Sequence, residues 1–344
     1  MTKRIAVLGR FAFGSDATGG QITKTRVIGE ELVRRYGEDE VALNDTKGGF
    51  KALLTMPFTT LRLLRGHQNV VVMPSRKGIL AIIPLFAVFN LFFRRKLHYV
   101  VIGGWLPQFA AKHPFYRWAL KRFHHIYVET RLMHDELSRQ GISNTVVLPN
   151  CKKLDICPVK DLFRQETLPL PLCTFSRVNR QKGIGIAIEA VKKANEALGK
   201  EAFTLDIFGN VEEPEWFHEV LDEQTGIVKY KGTIAFDKST AVLSKYYLLL
   251  FPTYYDGEGF PGTLIDALAA GVPAVASNWM ANAEIVDDGK TGFIVEPKSA
   301  DSLAALLVRL ALANDALLPM RMNCIKKAAD YQPEHVVDIL AENI

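Results

Sequence analysis

Short apolar runs alternate with amphipathic stretches along nearly the whole chain, and this alternation constrains the fold more than any other feature. A run such as Ile5–Gly9 is too short and too evenly apolar for a surface helix and reads as a strand buried on both faces. Joined through helical stretches, such strands make βαβ units and hence parallel sheets covered on both sides. Strands are predicted at Ile5–Gly9, Val41–Asn44, Val70–Met73, Tyr99–Gly103, Ile126–Glu129 and Val146–Leu148. A second series is predicted at Cys173–Arg177, Thr204–Phe208, Val228–Lys231, Leu248–Phe251, Ala274–Ala276 and Phe293–Val295. Helices fall between them, among them Gln21–Tyr36, Arg131–Arg139, Gly185–Leu198, Gly262–Ala270 and Ala300–Ala313. The chain of 344 residues exceeds what one core ordinarily serves, so the expectation is α/β with two doubly wound, Rossmann-like domains. The polar segment Lys152–Pro171, with three prolines and no clear period, reads as the linker.

The net charge of +5 is divided unevenly. Residues 1–160 hold 25 Lys and Arg against 11 Asp and Glu, and the remainder holds 17 against 26. Between Asp45 and Glu129 stand 13 basic residues and no acid. A solvated face mixes signs, so this stretch asks for an anionic neighbour, either an external anion or the acidic second half. It carries no nucleic-acid recognition motif, and nucleic acid is not an expected partner. In Lys112–His125, the residues Phe115, Trp118 and Phe123 would anchor in an anionic membrane face while Lys112, Arg117, Lys121 and Arg122 supply charge. The apolar run Ile79–Phe93 falls short of the roughly 20 residues a spanning helix needs. It is expected as a buried, sheet-covering helix, with contact to a membrane surface as the other reading. The cysteines Cys151, Cys157, Cys173 and Cys324 form no CxxC pair, so no zinc site is expected and a reducing cytoplasm fits. The opening residues, polar and glycine-rich after five apolar positions, read as a first strand and not a signal peptide.

The most informative segment runs from Phe251 to Ser277. A buried strand is followed by a loop containing Gly257, Glu258 and Gly259, then by Pro261 and a helix from Gly262. The N–H groups of Gly262, Thr263 and Leu264 would face an anion at that helix N-terminus. A carboxylate against a diphosphate would be repelled, so Glu258 and Asp266 would instead grip neutral hydroxyls on either side of it. The plainer reading is a strand-loop-helix turn with Asp266 as a partner of the helix dipole. A second loop, after the strand ending at Arg177, carries Arg180, Lys182 and Gly183. Cations at a strand's carboxyl end suit phosphate recognition, whereas alone they would be a solvated basic loop.

These residues, with Ala269–Pro273, Asn282–Ile285 and Asp288–Phe293, resemble the retaining family-four glycosyltransferases of the GT-B fold. The resemblance is specific over about residues 172–313 and weaker but colinear from Ile5. Gly19-Gly20 resembles that family's N-terminal glycine loop, and Leu148-Pro149-Asn150 its approach to the linker. It implies two Rossmann-like domains with a cleft between them: an acceptor-binding domain at 1–160 and a nucleotide-sugar domain at 161–325. Residues 326–344 would form a C-terminal helix that packs back on the first domain. Arg177 and Lys182 would neutralise the donor diphosphate, Glu258 would hold the donor sugar and Asp266 the ribose. Gly259, Phe260, Gly262, Thr263 and Leu264, with Gly19 and Gly20, would complete the donor site, and Gly103, Gly104 and Trp105 would lie on the acceptor side.

Two departures matter. Asp266 stands where the family has Glu, one methylene shorter, and the fourth strand leads into Ile102-Gly103-Gly104-Trp105 without the family's histidine. The implied reaction is a retaining hexosyl or N-acetylhexosaminyl transfer from a nucleotide-diphosphate sugar, with uridine as the expected base. Fixed cations would stabilise the leaving diphosphate without a metal or other cofactor, and the sequence has no Asp-x-Asp. The acceptor would be a lipid-linked saccharide of polysaccharide biosynthesis, met by a cytoplasmic protein held peripherally on the inner membrane face. Rival readings are a nucleotide-sugar epimerase and an NAD-dependent two-domain dehydrogenase with Asp45 on the ribose. The latter lacks GxGxxG between Gly9 and Gly20.

Overall fold

The protein is described by a computed structural model covering residues 4–15, 19–46, 50–163, 167–221, 226–313 and 317–344, with the backbone alone at 50–53 and 236. Lys47 and the Lys51 side chain, both part of the basic stretch, lie outside what is described, as do residues 164–166 of the expected linker.

Two parallel six-stranded sheets form the architecture. The first contains β1 (Ile5–Gly9), β2 (Val41–Asp45), β3 (Asn69–Met73), β4 (Lys96–Val100), β5 (His125–Val128) and β6 (Thr145–Val147). Its spatial order is β2-β1-β3-β4-β5-β6. The second contains β7 (Leu170–Phe175), β8 (Phe203–Phe208), β9 (Val228–Tyr230), β10 (Leu248–Phe251), β11 (Ala274–Ser277) and β12 (Gly292–Val295). Here the order is β12-β11-β10-β7-β8-β9. From β7 the chain winds outward through β8 and β9, then returns to start β10 on the other side of β7. The order reverses between β7 and β10, the place where doubly wound sheets open a crevice for ligands.

The compact units are Met1–Lys153 with Tyr331–Ile344, and Leu154–Asp330. In the first, helices Gly20–Tyr36 and Pro333–Ala341 cover one face of the sheet, burying Ile28, Leu32, Val336, Val337 and Leu340 against Ile5, Val7 and Val71. Arg35 joins these helices through Asp338 at 2.5 Å. Helices Phe50–Gly66, Ile79–Phe93, Pro114–Leu120 and Arg131–Arg139 cover the opposite face, packing on Ala6, Leu8, Val70, Val72 and Ile126. Thr130 starts the last of them as an N-cap, its hydroxyl accepting from Met133 N–H at 3.1 Å.

The structure corrects three readings. β4 lies at Lys96–Val100, three residues before its expected start, because His98 is fully buried and aligned with Val71 of β3. Its ring finds Tyr127 Oη at 3.3 Å and Asn69 Oδ1 at 3.4 Å, so a polar side chain belongs to the interior. The segment expected as a linker folds onto the second unit: Leu162 is buried, Cys157 N–H donates to Ala269 at 2.8 Å, and β7 already begins at Leu170. Phe123, expected as an exposed anchor, is buried in the first core, where its ring meets Tyr99. Ile79–Phe93 does cover the sheet through Ile79, Ile82, Ile83, Phe86 and Ala87, yet Leu80, Val88, Leu91 and Phe92 are exposed. Among the described residues no helix is long and apolar enough to cross a membrane.

Candidate functional site

The loops that follow β7 and β10 meet at the reversal point of the second sheet. After β7, Asn179 caps a single turn at Arg180–Lys182, its side chain accepting from Lys182 N–H at 3.0 Å. Gly183 ends that turn with φ 73°, and a Cβ there would lie 2.1 Å from the Pro252 carbonyl oxygen. Only glycine lets the cation-bearing turn press so closely on the end of β10. Gln181 extends the seam, its carbonyl accepting from Tyr254 N–H at 2.8 Å. Thr263, at the start of helix Gly262–Ala269, donates to the Phe175 carbonyl at 2.9 Å and ties that helix to the end of β7.

This seam brings Arg177, Lys182 and Glu258 together. Lys182 and Glu258 are both buried and form a close ion pair through Nζ and Oε2. Thr253 donates to the same carboxylate at 3.0 Å. Tyr255 lies between the cations, its ring centroid 5.0 Å from Lys182 Nζ and 5.3 Å from the Arg177 guanidinium carbon. Arg177 pairs with Glu212 at 3.0 Å, and Arg180 with Glu213 at 3.0 Å. Burial works against the Arg177 charge, but the hydrogen bonds to Glu212 and Tyr255 outweigh it and hold its pKa above the ordinary value. The hydrogen bond from Asn179, then Arg177, holds the Glu212 carboxyl below its usual range in spite of some desolvation.

Asp266 is buried one turn into helix Gly262–Ala269. Of the three amides expected to face an anion, Leu264 N–H is already engaged with the Pro261 carbonyl at 3.2 Å, which corrects that part of the reading. Gly262 and Thr263, at the start of the helix, are partly exposed. Phe260 is buried and Gly259 half-buried beside Glu258. Glu212, Asn179, Thr253 and Tyr255 were not among the expected residues; only their positions just beyond strand ends could have flagged them.

The remaining expected residues belong to the first unit. Gly19, with φ 144°, precedes helix Gly20–Tyr36. Gly103 N–H donates to Glu129 Oε2 at 3.0 Å, and the other oxygen of Glu129 holds the buried Lys24 at 2.6 Å. Trp105 closes the loop after β4 by donating from Nε1 to Ile102 at 2.9 Å. Arg117 is half-buried, whereas Trp118, Lys121 and Arg122 are exposed, with the Arg122 guanidinium 3.9 Å over the Trp118 ring. Asp45, the ribose candidate of the dehydrogenase reading, is occupied by the N–H groups of Phe11 and Phe13 at 3.1 and 3.2 Å. Among the described residues no cluster of His, Cys, Asp or Glu could hold a metal ion.

Comparison with known proteins gives a matching fold and a domain likeness. Residues 171–312 match the family described as "Glycosyl transferases group 1". The amylovoran biosynthesis glycosyltransferase AmsK of Erwinia amylovora is 26% identical over 172 residues, covering 49% of this chain and 42% of the relative. The putative colanic acid biosynthesis glycosyltransferase WcaL of Escherichia coli K12 is 28% identical over 191 residues, covering 54% and 44%. The chain thus spans less than half the length of these relatives. Among solved structures, Anabaena Alr3699/HepE in complex with UDP-glucose superposes with a TM-score of 0.71 at 17% identity over 98% of each chain. Sucrose-phosphate synthase (tll1590) from Thermosynechococcus elongatus does so with 0.73 at 17% identity, over 99% of this chain and 98% of its own. The fold is that of the GT-B glycosyltransferases. Within that fold, residues 171–312 carry the likeness to the group 1 glycosyltransferases.

Proposed function

We propose that the protein is a retaining glycosyltransferase that moves a sugar from a nucleotide-diphosphate donor, UDP-linked, to a hydroxyl of a lipid-linked saccharide. The observation that carries this reading is the convergence of Arg177, Lys182 and Glu258 at the reversal point between β7 and β10. Arg177 and Lys182 would take the diphosphate, together with the amides of Gly262 and Thr263 at the helix N-terminus. Glu258, held by Thr253 and Lys182, would accept from sugar hydroxyls, and Asp266 would serve the ribose side. Charge that develops on the leaving diphosphate would meet fixed cations, which supports a transfer needing no divalent metal. With leaving group and acceptor hydroxyl on one face of the sugar, configuration would be retained.

The names of the relatives, from amylovoran and colanic acid biosynthesis, support a saccharide acceptor in polysaccharide assembly. The UDP-glucose complex of a structural neighbour supports a uridine donor. Such an acceptor implies work at the inner face of a membrane, with the first unit carrying Gly103, Gly104 and Trp105 on the acceptor side. The test is a thermal-shift panel of nucleotide sugars on the purified chain. The right donor, at 100 times its dissociation constant, stabilises by about 2.7 kcal/mol. No shift with any nucleoside diphosphate or its sugars would end the proposal.

A further inference from the structure

Helix Ile79–Phe93 is apolar around its whole circumference, and only half of it is used. One stripe packs on the first sheet. Leu80, Leu91 and Phe92 occupy the side left over, with Phe92 82% exposed. Helix Phe50–Gly66 packs along one flank of it and adds Phe58, 76% exposed. Helix Pro114–Leu120 packs against it too, with Tyr116 Oη donating to the Leu80 carbonyl at 3.1 Å, and adds Phe115 and Trp118, stacked at 5.6 Å. All three helices lie on the same face of the sheet, so their unburied sides form one outer apolar surface. Monomeric soluble proteins rarely leave contiguous apolar area of this kind open.

Charge says what covers it. These helices and the strands between them hold no acid from Thr46 to Val128, while exposed Arg76, Lys77, Arg94, Lys121 and Arg122 stand at the helix ends. An acidic protein surface would match the cations but leave Phe58 and Phe92 facing polar groups. A bilayer with anionic headgroups meets both demands, because apolar side chains enter the headgroup boundary while cations remain at the phosphates. We infer that this helix layer is a docking surface for an anionic lipid bilayer, centred on Phe58, Leu91 and Phe92, with Trp118, Lys121 and Arg122 at one margin. The inference rests on the proposed function only for the purpose of the contact, since a lipid-linked acceptor has to be met at a membrane.

The experiment is co-sedimentation of the full chain with vesicles of phosphatidylcholine, alone or with phosphatidylglycerol, at low and high salt. Phe58→Ser with Phe92→Ser tests the apolar centre; both side chains are exposed, and folding is checked by melting temperature. Wild type is expected to pellet with phosphatidylglycerol vesicles at low salt, and the double variant to bind at least tenfold more weakly. Recovery of wild type in the supernatant under every condition would overturn the inference, as would unchanged binding of a folded double variant. A second copy seated on this face, seen as a dimer in sedimentation velocity that the double variant abolishes, would overturn it as well. Donor-induced thermal shift, read on the same samples, separates the two proposals: vesicle binding without a donor shift defeats only the transferase reading, and a donor shift without vesicle binding defeats only the docking surface.

Discussion

The guanidinium of Arg177 lies 3.0 Å from Oε1 of Glu212, a residue of the loop after the neighbouring strand β8. The other oxygen of Glu212 accepts from Asn179 Nδ2 at 2.7 Å, and Asn179 caps the turn that carries Lys182. One carboxylate therefore aims both cations, Arg177 directly and Lys182 through Asn179. Glu212→Gln is expected to raise the donor KM about tenfold with a smaller change in kcat, on the scale of a lost charge-assisted hydrogen bond. Glu212→Asp should recover part of the loss. Unaltered kinetics in the Gln variant would mean that Arg177 needs no such guide.

Glu258 is the one expected sugar-binding carboxylate that is buried at the seam. Glu258→Ala should lower turnover by at least about a hundredfold, as for other positioned polar groups at reacting centres. Binding of the nucleoside diphosphate alone should change far less. Turnover near that of wild type in the folded variant would remove Glu258 from the site.

The proposed use of fixed cations in place of a metal makes a separate prediction. Activity should persist in excess chelator, whereas Lys182→Ala should weaken donor affinity about tenfold or more. Loss of activity in chelator, restored by magnesium or manganese, would show that Lys182 and Arg177 do not suffice.

His98 sets a pH dependence of stability rather than of activity. Burial, then the neighbouring His124, His125 and Lys96, lower its pKa from 6.5 to about 3. Below pH 6.5 the unfolded chain takes up a proton that the folded protein refuses, so stability falls as pH drops towards 3, by up to about 1.4 kcal/mol per unit. His98→Gln should flatten this part of the profile, whatever it costs at neutral pH. Parallel melting curves for variant and wild type from pH 7 to 4 would assign the acid sensitivity elsewhere.

The strands were legible because a parallel strand covered on both faces must be a continuous apolar run, as in Ile5–Gly9 and Leu248–Phe251. β4 slipped because His98 breaks that rule from inside, supported by Asn69 and Tyr127. The Lys182 and Glu258 loops could be found from local chemistry, since each follows a strand and each carries its own glycines. Glu212 could not, because its tie to Arg177 spans 35 residues and depends on which strands are neighbours. Nor could the outer face of Ile79–Phe93 be read: with apolar residues on all sides, nothing in the run says which stripe the sheet will take.

The return of residues 331–344 to the first unit makes that unit discontinuous, with the whole of 154–330 inserted between its two parts. During synthesis the part of this face that helix Gly20–Tyr36 does not cover must therefore stay open until the second unit has been made and Val336, Val337 and Leu340 arrive to close it. Maturation of the two units is thus tied together by the path of the chain, and a ribosome stalled inside the second unit would release a first unit prone to aggregate.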